Sequence, residues 1–337
     1  MNSILKQFAR SVGFPLIHQL GADKLLSARS STNVLQITYH GVSIGNHTWF
    51  SPRSIPAHVF ERQLAYFKKN FDVVSVREAL DWKRSGFRPK RKTLAISFDD
   101  GFTNNYTVLL PLLEKYEIPA TVLICGAPLL VTGPRYLWPE LLQTLKYFHP
   151  DAAFEVGGVR FEKMRAVHNG QSLSTWIKTL LPEERFSVLA ELMERFNLEQ
   201  QLQQIPREAW EIMSADQLRA LSASPWVEIG AHGHWHSNLG NIPLAMAVED
   251  LKMSKDVLES IVGQSINILA YPDGSYTRAL VDASEQLGFT HQLAVNYQHL
   301  EDLNDPRIVK RHGVSATTTL ESTLFFIHRA FAQNGKS

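Results

Sequence analysis

The chain contains two clusters of side chains that could bind and use a metal ion. The first is Ser97-Phe98-Asp99-Asp100-Gly101, which follows the apolar residues 93–96. Two adjacent carboxylates at the end of a strand point in different directions, so one can bind a metal ion while the other acts as a base. Taken alone, Asp-Asp-Gly is more typical of the N-cap of a helix, which Asp often supplies.

The second cluster, residues 228–237, holds three histidines within five positions: His232, His234 and His236. Neutral imidazole is the commonest metal ligand among protein side chains. His232 and His236 are four positions apart, so one helical turn or a tight loop can direct both at one ion, with His234 pointing away. Three histidines together after an apolar run favour a metal site over a structural role.

Three further apolar runs also end in polar residues. His40 follows the first run, Tyr271-Pro272-Asp273-Gly274 follows a later one, and Arg311 and His312 end the last. Tyr-Pro-Asp-Gly also forms a turn for purely local reasons. Each of the other three residues, taken singly, is more typical of a structural role than of a catalytic one.

The apolar runs and the segments between them predict the elements that must position these residues. Strands are predicted at 34–39, 71–76, 93–98, 120–125, 226–231, 266–271 and 292–295, and more weakly at 307–311. Helices are predicted at 57–70, 106–116, 244–262, 278–287 and 320–331. Strands that alternate with helices indicate an α/β fold, and seven or eight strands favour a (β/α) barrel over a doubly wound sheet.

A parallel barrel would bring the candidate residues together. The carboxyl ends of its strands meet at one face, where the active site is built. Asp99, Asp100, His232, His236 and His40 are therefore expected to converge there. Two histidines and one aspartate with an open position are typical of a catalytic metal site rather than a closed structural one.

The segment from about Gly126 to Ser224 interrupts the alternation of strands and helices. It has helical periods at 139–148, 173–181, 182–196 and 214–222 and few strand signals. We expect a helical insertion in the barrel, over about 126–224, between the two clusters of functional residues. The expected organisation is an N-terminal helical extension over 1–30 and a single barrel domain over 31–337.

Composition narrows the possible partners and locations. The chain has 337 residues, and 34 Lys and Arg against 33 Asp and Glu give a net charge of +1, so no broad charge favours a nucleic-acid partner. The single cysteine, Cys125, excludes an intramolecular disulfide and a cysteine-based zinc site.

The sequence has no recognisable secretory signal or membrane-spanning run, so a cytoplasmic location is expected. The first 25 residues could form an amphipathic helix, with Ile4, Phe8, Ser11 and Val12 on one face, which makes peripheral contact with the inner membrane the weaker alternative to packing on the domain.

The two clusters resemble motifs of the polysaccharide deacetylase family, also called the NodB homology domain or carbohydrate esterase family 4. Residues 97–101 resemble its Thr/Ser-Phe-Asp-Asp-Gly motif, and residues 232–237 its His-x-x-x-His-Pro/Ser motif. Residues 270–274 are similar to the Tyr-Pro-x-Gly turn of one subgroup, and the resemblance extends over about 34–314. It implies a distorted (β/α) barrel, often of seven strands. It also implies metal-dependent removal of an N-acyl group, usually acetyl, from an amino sugar of a surface polysaccharide, a glycolipid or their precursor.

The resemblance also implies a role for each matching residue. Asp100, His232 and His236 would bind a divalent ion, with Zn²⁺ favoured over Co²⁺, Ni²⁺ or Mn²⁺. Asp99 would be the base that activates water, and the ion with the backbone N–H of Asp273 would hold the oxyanion. In the subgroup, a histidine after the first strand is implicated as the general acid. This favours His40 here, with His312 as the second choice.

The sequence departs from the family in three respects. Many members carry an Arg in the third motif that pairs with the base. The residues around Tyr271 offer none at that position, so Arg311, or less favoured Arg307, is expected to supply this charge. No segment matches the Asp-x-x-Asp-Trp or Leu-x-His motifs, where the family's acid usually lies. The long insertion favours a substrate other than a simple linear chitin chain, and a cytoplasmic enzyme would meet nucleotide-linked or lipid-linked sugars.

Aromatic side chains near the clusters are candidates for stacking on a sugar ring. They are Tyr39, Trp138, Trp235, Tyr271 and Tyr276. Trp235 is favoured because it lies within the histidine cluster, while core packing is an equally good interpretation of each. Two other functions stay open: a deformylase or other amidohydrolase on the same scaffold, and a catalytically inactive carbohydrate-binding barrel.

Overall fold

The computed structural model describes residues 12–27, 33–45, 47–315 and 319–334. Its α-helices are α1 (Phe14–Gln19), α2 (Ala22–Ser27), α3 (Ala57–Asn70), α4 (Val76–Ser85), α5 (Leu110–Tyr116), α6 (Trp138–Phe148), α7 (Leu173–Ile177), α8 (Pro182–Phe196), α9 (Leu198–Leu202), α10 (Ala215–Ser222), α11 (Leu244–Val262), α12 (Arg278–Gln286) and α13 (Leu320–Asn334). A π-helical turn, Asn105–Leu109, precedes α5, and short 3-10 turns lie at Ala127–Leu130, Arg207–Ala209, Leu239–Asn241, Pro272–Gly274 and Leu300–Leu303.

The strands form one large sheet and two small ones. They are β1 (Val34–Tyr39), β2 (Gly41–Ser43), β3 (Ser54–Pro56), β4 (Asp72–Val74), β5 (Thr93–Phe98), β6 (Ala120–Ile124), β7 (Ala153–Val156), β8 (Val159–Glu162), β9 (Arg165–Ala166), β10 (Val227–Ala231), β11 (Ile268–Ala270), β12 (His291–Ala294), β13 (Ile308–Lys310) and β14 (His312–Gly313). The large sheet runs in the order β13-β12-β11-β10-β6-β5-β1-β14, and β4 pairs with β5 beside this path.

The large sheet closes into a nearly complete parallel barrel, which confirms the predicted fold class. Every pairing in it is parallel. Its two ends, β13 and β14, are separated only by Arg311. Residues 308–313 therefore join β12 to β1 and complete the ring. The distortion lies in these two short strand segments, where one regular strand would be expected.

The sequence explains why the barrel strands lie in the centre. Every residue of β5 and β6 is buried, because parallel strands have helices on one face and the barrel interior on the other. The helices turn their apolar sides inward: α3 buries Phe60, Leu64 and Phe67 against the strands. These continuous apolar runs are the signal that made β1 and β5 predictable to the residue.

One helix next to the barrel, α4, was not predicted. The sequence pattern extended the preceding strand to Val76, but β4 ends at Val74. The Ser75 hydroxyl accepts the N–H of Glu78 and caps α4, and Gly86 ends the helix at φ 74°. A capping serine inside an apolar run therefore changes the element type.

The insertion contains the predicted helices and also a small antiparallel sheet, β7–β8–β9. Its apolar residues form a core of their own, which includes Leu145, Phe161 and Leu192. Of the predicted N-terminal extension, residues 1–11 and 28–30 lie outside the described residues. The described part forms α1 and α2, with the Phe14 ring 5.0 Å from the ring of Phe325 on α13. Within the described ranges, every helix is too short or too polar to span a bilayer.

Candidate metal-dependent active site

The candidate residues are held at the carboxyl ends of the barrel strands by hydrogen bonds that continue the sheet. The backbone N–H of Asp99 donates to the carbonyl of Tyr39, and that of His232 to the carbonyl of Ile124. The N–H of Arg311 likewise donates to the carbonyl of Ala294. Each side chain therefore leaves a rigid strand end rather than a free loop.

Asp100, His232 and His236 form a compact three-residue cluster at this face. Their candidate ligand atoms all lie within 4.8 Å of one another. Asp100 Oδ1 lies 3.6 Å from His232 Nε2 and 3.3 Å from His236 Nε2. All three residues are buried. One carboxylate and two imidazoles on one side of a cleft are a donor set suited to a divalent ion such as Zn²⁺.

The protonation of the cluster also suits a metal ion. Burial raises the pKa of Asp100, but Arg53, His236 and His40 together hold it well below its usual value, so the carboxylate is ionised. Burial lowers the pKa of His232, which favours the neutral imidazole despite the nearby Asp99. His232 Nδ1 lies 2.9 Å from the carbonyl of Ala270, a bond that fixes Nδ1–H and leaves the Nε2 lone pair free. Asp100 Oδ1 is buried and has no hydrogen-bond partner among the described residues, as expected of a group shaped to bind a cation.

The backbone at the site is strained. Asp100, His236 and Asp273 have positive φ angles of 76°, 51° and 55°. Side chains other than glycine rarely adopt this conformation, and each instance costs on the order of 1–3 kcal/mol. Three such residues at one site indicate that the surrounding fold stabilises these conformations, which set the directions of the three side chains.

Asp99 lies beside the cluster and is held by Arg311. The guanidinium donates from Nη1 to Asp99 Oδ1 at 2.6 Å and from Nη2 to Oδ2 at 3.0 Å. Nη1 also donates to the hydroxyls of Thr38 and Ser97, both at 3.0 Å. Burial raises the pKa of Asp99, but Arg311 and His232 outweigh it and lower the pKa overall, so the carboxylate is ionised.

Part of the site opens onto a cleft of about 680 Å³ that the insertion lines on one side. Asp99, His232, His236 and His40 all line it. Burial lowers the pKa of His40, although Asp100 and Asp99 act against this, so the imidazole is neutral at neutral pH. A cleft of this size is in the range that accommodates small ligands.

A comparison with models of protein families identifies the family to which the chain belongs. A family model described as polysaccharide deacetylase matches residues 87–291. The chain belongs to the polysaccharide deacetylase family. YxkH of Bacillus subtilis, whose name assigns it to the same family, is 31% identical over 91 residues. That match covers 27% of this chain and only 31% of YxkH.

Solved deacetylase structures share the fold at low identity. IcaB from Ammonifex degensii has a TM-score of 0.56 at 16% identity, covering 90% of this chain and 98% of that one. The Streptococcus pyogenes deacetylase PplD in complex with acetate has a TM-score of 0.51 at 15% identity, covering 86% and 96%. A de-N-acetylase from Aggregatibacter actinomycetemcomitans has a TM-score of 0.51 at 18% identity, covering 87% and 99%.

Among the remaining residues predicted from the deacetylase motifs, His312 and Arg307 lie apart from this cleft. His312 lines a second cavity, together with Phe326 and Ile327 of α13. Arg307 pairs with Asp305 and other surface acids instead of Asp99. The structure therefore brings His40 and Arg311, rather than His312 and Arg307, to the base.

Three of the five aromatic candidates are buried in the protein core. Tyr39 and Tyr271 are buried in the barrel core, where their hydroxyls donate to Gln63 at 2.8 Å and Gln292 at 2.6 Å. The prediction that these two stack on a sugar is wrong, because neither ring reaches the cleft. Tyr276 is also buried, and its hydroxyl donates to Asp302.

Trp138 and Trp235 differ in their relation to the cleft. Trp138 lines it, and its Nε1–H donates to the carbonyl of His236 at 3.0 Å. Trp235 is 37% exposed and packs edge-on against Phe186, away from the cleft-lining residues. Asp273 lines the cleft, where its carboxylate pairs with Lys178 at 2.9 Å.

Two functional candidates were not predicted from the deacetylase motifs. Arg53, between β2 and β3, donates to Asp100 Oδ2 at 2.7 Å and also pairs with the buried Glu140 of α6. Both residues line the cleft. Neither lies in a recognisable motif, and only the tertiary structure brings their segments to Asp100. The sequence contained no local signal that would have identified them.

The loop that carries the deacetylase histidines is anchored from outside the cleft. Asp250 of α11 accepts the N–H of His234 at 2.6 Å and of Trp235 at 3.3 Å. Arg185 of α8 donates to the hydroxyl of Ser237 at 2.8 Å. The helix after the loop and a helix of the insertion therefore both fix the position of His236.

Proposed function

We propose that this chain is a metal-dependent N-deacetylase that acts on an amino sugar of a surface polysaccharide, a glycolipid or their precursor. The observation that carries the proposal is the cluster of Asp100, His232 and His236 beside the Asp99–Arg311 pair. Family membership supports carbohydrate deacetylation in general. The geometry supports the metal dependence and the division of labour between the two aspartates.

The three-residue cluster would hold the divalent ion. When bound, the ion supplies Lewis acidity, which polarises the amide carbonyl and makes water a stronger acid. His232 Nε2, His236 Nε2 and Asp100 Oδ1 face one another, and Arg53 occupies the other oxygen of Asp100. With Arg53 in place, Oδ1 of Asp100 would be the oxygen available to the ion.

Asp99 is assigned the role of base. Its carboxylate is ionised and fixed by two hydrogen bonds from Arg311, so it can accept the proton of the attacking water without reorienting. Arg311 is buried, and besides Asp99 it donates to the hydroxyls of Thr38 and Ser97. We assign it a positioning role.

His40 is assigned proton transfer to the departing amine. It is neutral at rest, so it must first receive a proton, and the proton that Asp99 removes from water is available in the same cleft. The carbonyl of His40 accepts the side-chain N–H of Asn105 at 2.9 Å, which fixes its backbone. The backbone N–H of Asp273 is assigned to the developing oxyanion. The reaction consumes one water and yields a free amine and a carboxylate.

The proposal is tested by measuring amine release from N-acetylated and N-formylated amino-sugar substrates. We expect zinc-loaded wild type to release acetate, EDTA to abolish the reaction, and Zn²⁺ to restore it. Asp99→Asn should retain the metal and lose about 10²–10⁴-fold in kcat, the range for a general base. Asp256→Asn on α11, an exposed aspartate, is the matched control and should be unchanged. Full activity of Asp99→Asn would refute the assigned role, and preference for formyl groups would favour the deformylase alternative.

A further inference from the structure

The charged residues that the insertion contributes to the cleft are almost all cations. Four basic side chains of residues 126–224 line it: Lys146, Lys163, Arg165 and Lys178. The only acid of the insertion in the lining is Glu140, which is buried and paired with Arg53. We call the four basic residues the cationic wall. It faces the same space as Asp99 and the two metal-binding histidines.

Much of this positive charge is not neutralised. Within the part of the chain that the structure describes, no carboxylate lies within ion-pair distance of Lys146 or Arg165. Arg165 Nη1 donates only to the carbonyl of Gly170, at 3.0 Å. Lys163 lies 3.4 Å from Asp151, but these side chains are 74% and 80% exposed, so water screens the pair. Lys178 alone has a close acidic partner, Asp273.

The backbone places part of the wall at a conformational cost. Lys163 and Met164 form a two-residue turn between β8 and β9, because Glu162 pairs with Arg165. Their φ angles are 49° and 62°, a conformation that tight hairpins normally reserve for Asn and Gly. Both residues line the cleft.

We propose that the cationic wall binds an anionic group of the substrate next to the acylated amino sugar. The substrate class is therefore an acylated amino sugar that carries a phosphate or a carboxylate, rather than a neutral polymer. Lys146 and Arg165 are exposed to solvent and have no protein carboxylate to displace, so an anionic group can bind them without breaking an ion pair of the described residues. This inference rests on the proposed function, since it assumes that the amide is cleaved in this cleft.

The test compares substrates that share N-acetylglucosamine and differ in charge. UDP-N-acetylglucosamine supplies phosphate, a heparosan tetrasaccharide supplies carboxylate, and tetra-N-acetylchitotetraose is neutral. Amine release is measured with zinc-loaded protein at about 50 and about 500 mM NaCl, since the higher salt screens charges beyond a few ångströms. The variants are Lys146→Ala/Arg165→Ala and, as a matched control, Lys90→Ala/Lys252→Ala, which removes two exposed lysines outside the cleft.

We expect kcat/KM for one anionic substrate to exceed that of the neutral one by about tenfold at low salt. The double variant in the wall should lose about tenfold on that substrate and less than about twofold on the neutral one, and the control should lose neither. The substrate that responds distinguishes phosphate from carboxylate. Equal rates on all three substrates, without a salt effect, would overturn the inference and leave the proposed function intact.

Failure of the proposed function gives a different result. If no substrate releases amine, titration calorimetry with the same three ligands decides whether the wall binds anions. Salt-sensitive binding of an anionic ligand that weakens in the wall variant would support the wall without the deacetylase. Absent binding, or binding that the wall variant leaves unchanged, would overturn it.

Discussion

Replacing Asp250 by asparagine should weaken metal binding without touching the metal ligands. Asp250 is buried on α11, and its two oxygens accept the N–H groups of His234 and Trp235, between His232 and His236. Asparagine offers only one acceptor oxygen in the same place. At least one of the two N–H groups then faces an amide nitrogen and loses its partner.

The size of the effect follows from these contacts. A buried N–H that loses its acceptor costs about 1–3 kcal/mol. Burial raises the pKa of Asp250 despite its hydrogen bonds, so removal of the charge recovers part of this cost. We therefore expect Asp250→Asn to lower the free energy of unfolding by about 1–2 kcal/mol, the lower part of that range. Loss of an outer partner that orients metal ligands typically lowers metal affinity by about 10–100-fold, and we expect the same here.

Two assays separate these effects. Urea unfolding at neutral pH in EDTA gives the stability of the metal-free protein, and competition with a chromogenic chelator gives the zinc affinity. Asp256→Asn, an exposed aspartate on the same helix, controls for loss of charge on α11. If Asp250→Asn matched Asp256→Asn in both assays, the loop would not depend on Asp250, and the reasoning would be refuted.

Three further predictions concern other parts of the molecule. His40→Gln should lower kcat by about 10²–10⁴-fold and His312→Gln by less than about twofold; steady-state amine release checks this, and the reverse order would exchange their roles. Tyr39→Phe should cost about 1 kcal/mol in urea unfolding, because Gln63 loses its donor, while kcat stays unchanged; a large fall in kcat would place Tyr39 in the site after all. Asp302→Asn should destabilise at neutral pH by about 1–3 kcal/mol, since the partly exposed Arg278 loses one of its two carboxylate partners and keeps Asp305. The partners of Asp302 lower its pKa below its ordinary value, so its stabilisation is present above about pH 4 and is lost on acidification; a gap between wild type and variant that persists at low pH would contradict this.

The barrel was predictable because its strands are continuous apolar runs and its helices have clear periods. Helices α3, α8 and α11 begin and end at the predicted residues. The sheet β7–β8–β9 was not predicted, because its strands have four residues or fewer and half of their side chains are exposed. Such short alternation is weak evidence for a strand unless the turn between the strands is recognised.

The site was predictable to the extent that it depends on strand ends. Convergence of Asp99, Asp100, His232 and His236 follows from a parallel barrel, whose strands deliver their carboxyl ends to one face. Arg53, Glu140 and the cationic wall were not predictable, because they reach the cleft from a loop and from the insertion. Their positions depend on tertiary packing, which local sequence patterns do not predict. Tyr39 shows the converse: it follows Thr38 on β1, and because adjacent residues of a strand point to opposite faces, Thr38 lines the cleft and Tyr39 does not.

The central claim is that Asp100, His232 and His236 bind a divalent metal ion. The most direct measurement is elemental analysis of purified protein, reloaded with Zn²⁺ and freed of excess metal, for wild type, His232→Ala and His58→Ala. His58 is an exposed histidine of α3 and serves as the control. The account predicts near-stoichiometric metal in wild type and His58→Ala and its loss in His232→Ala. A folded wild-type protein that retains no metal after reloading would contradict it.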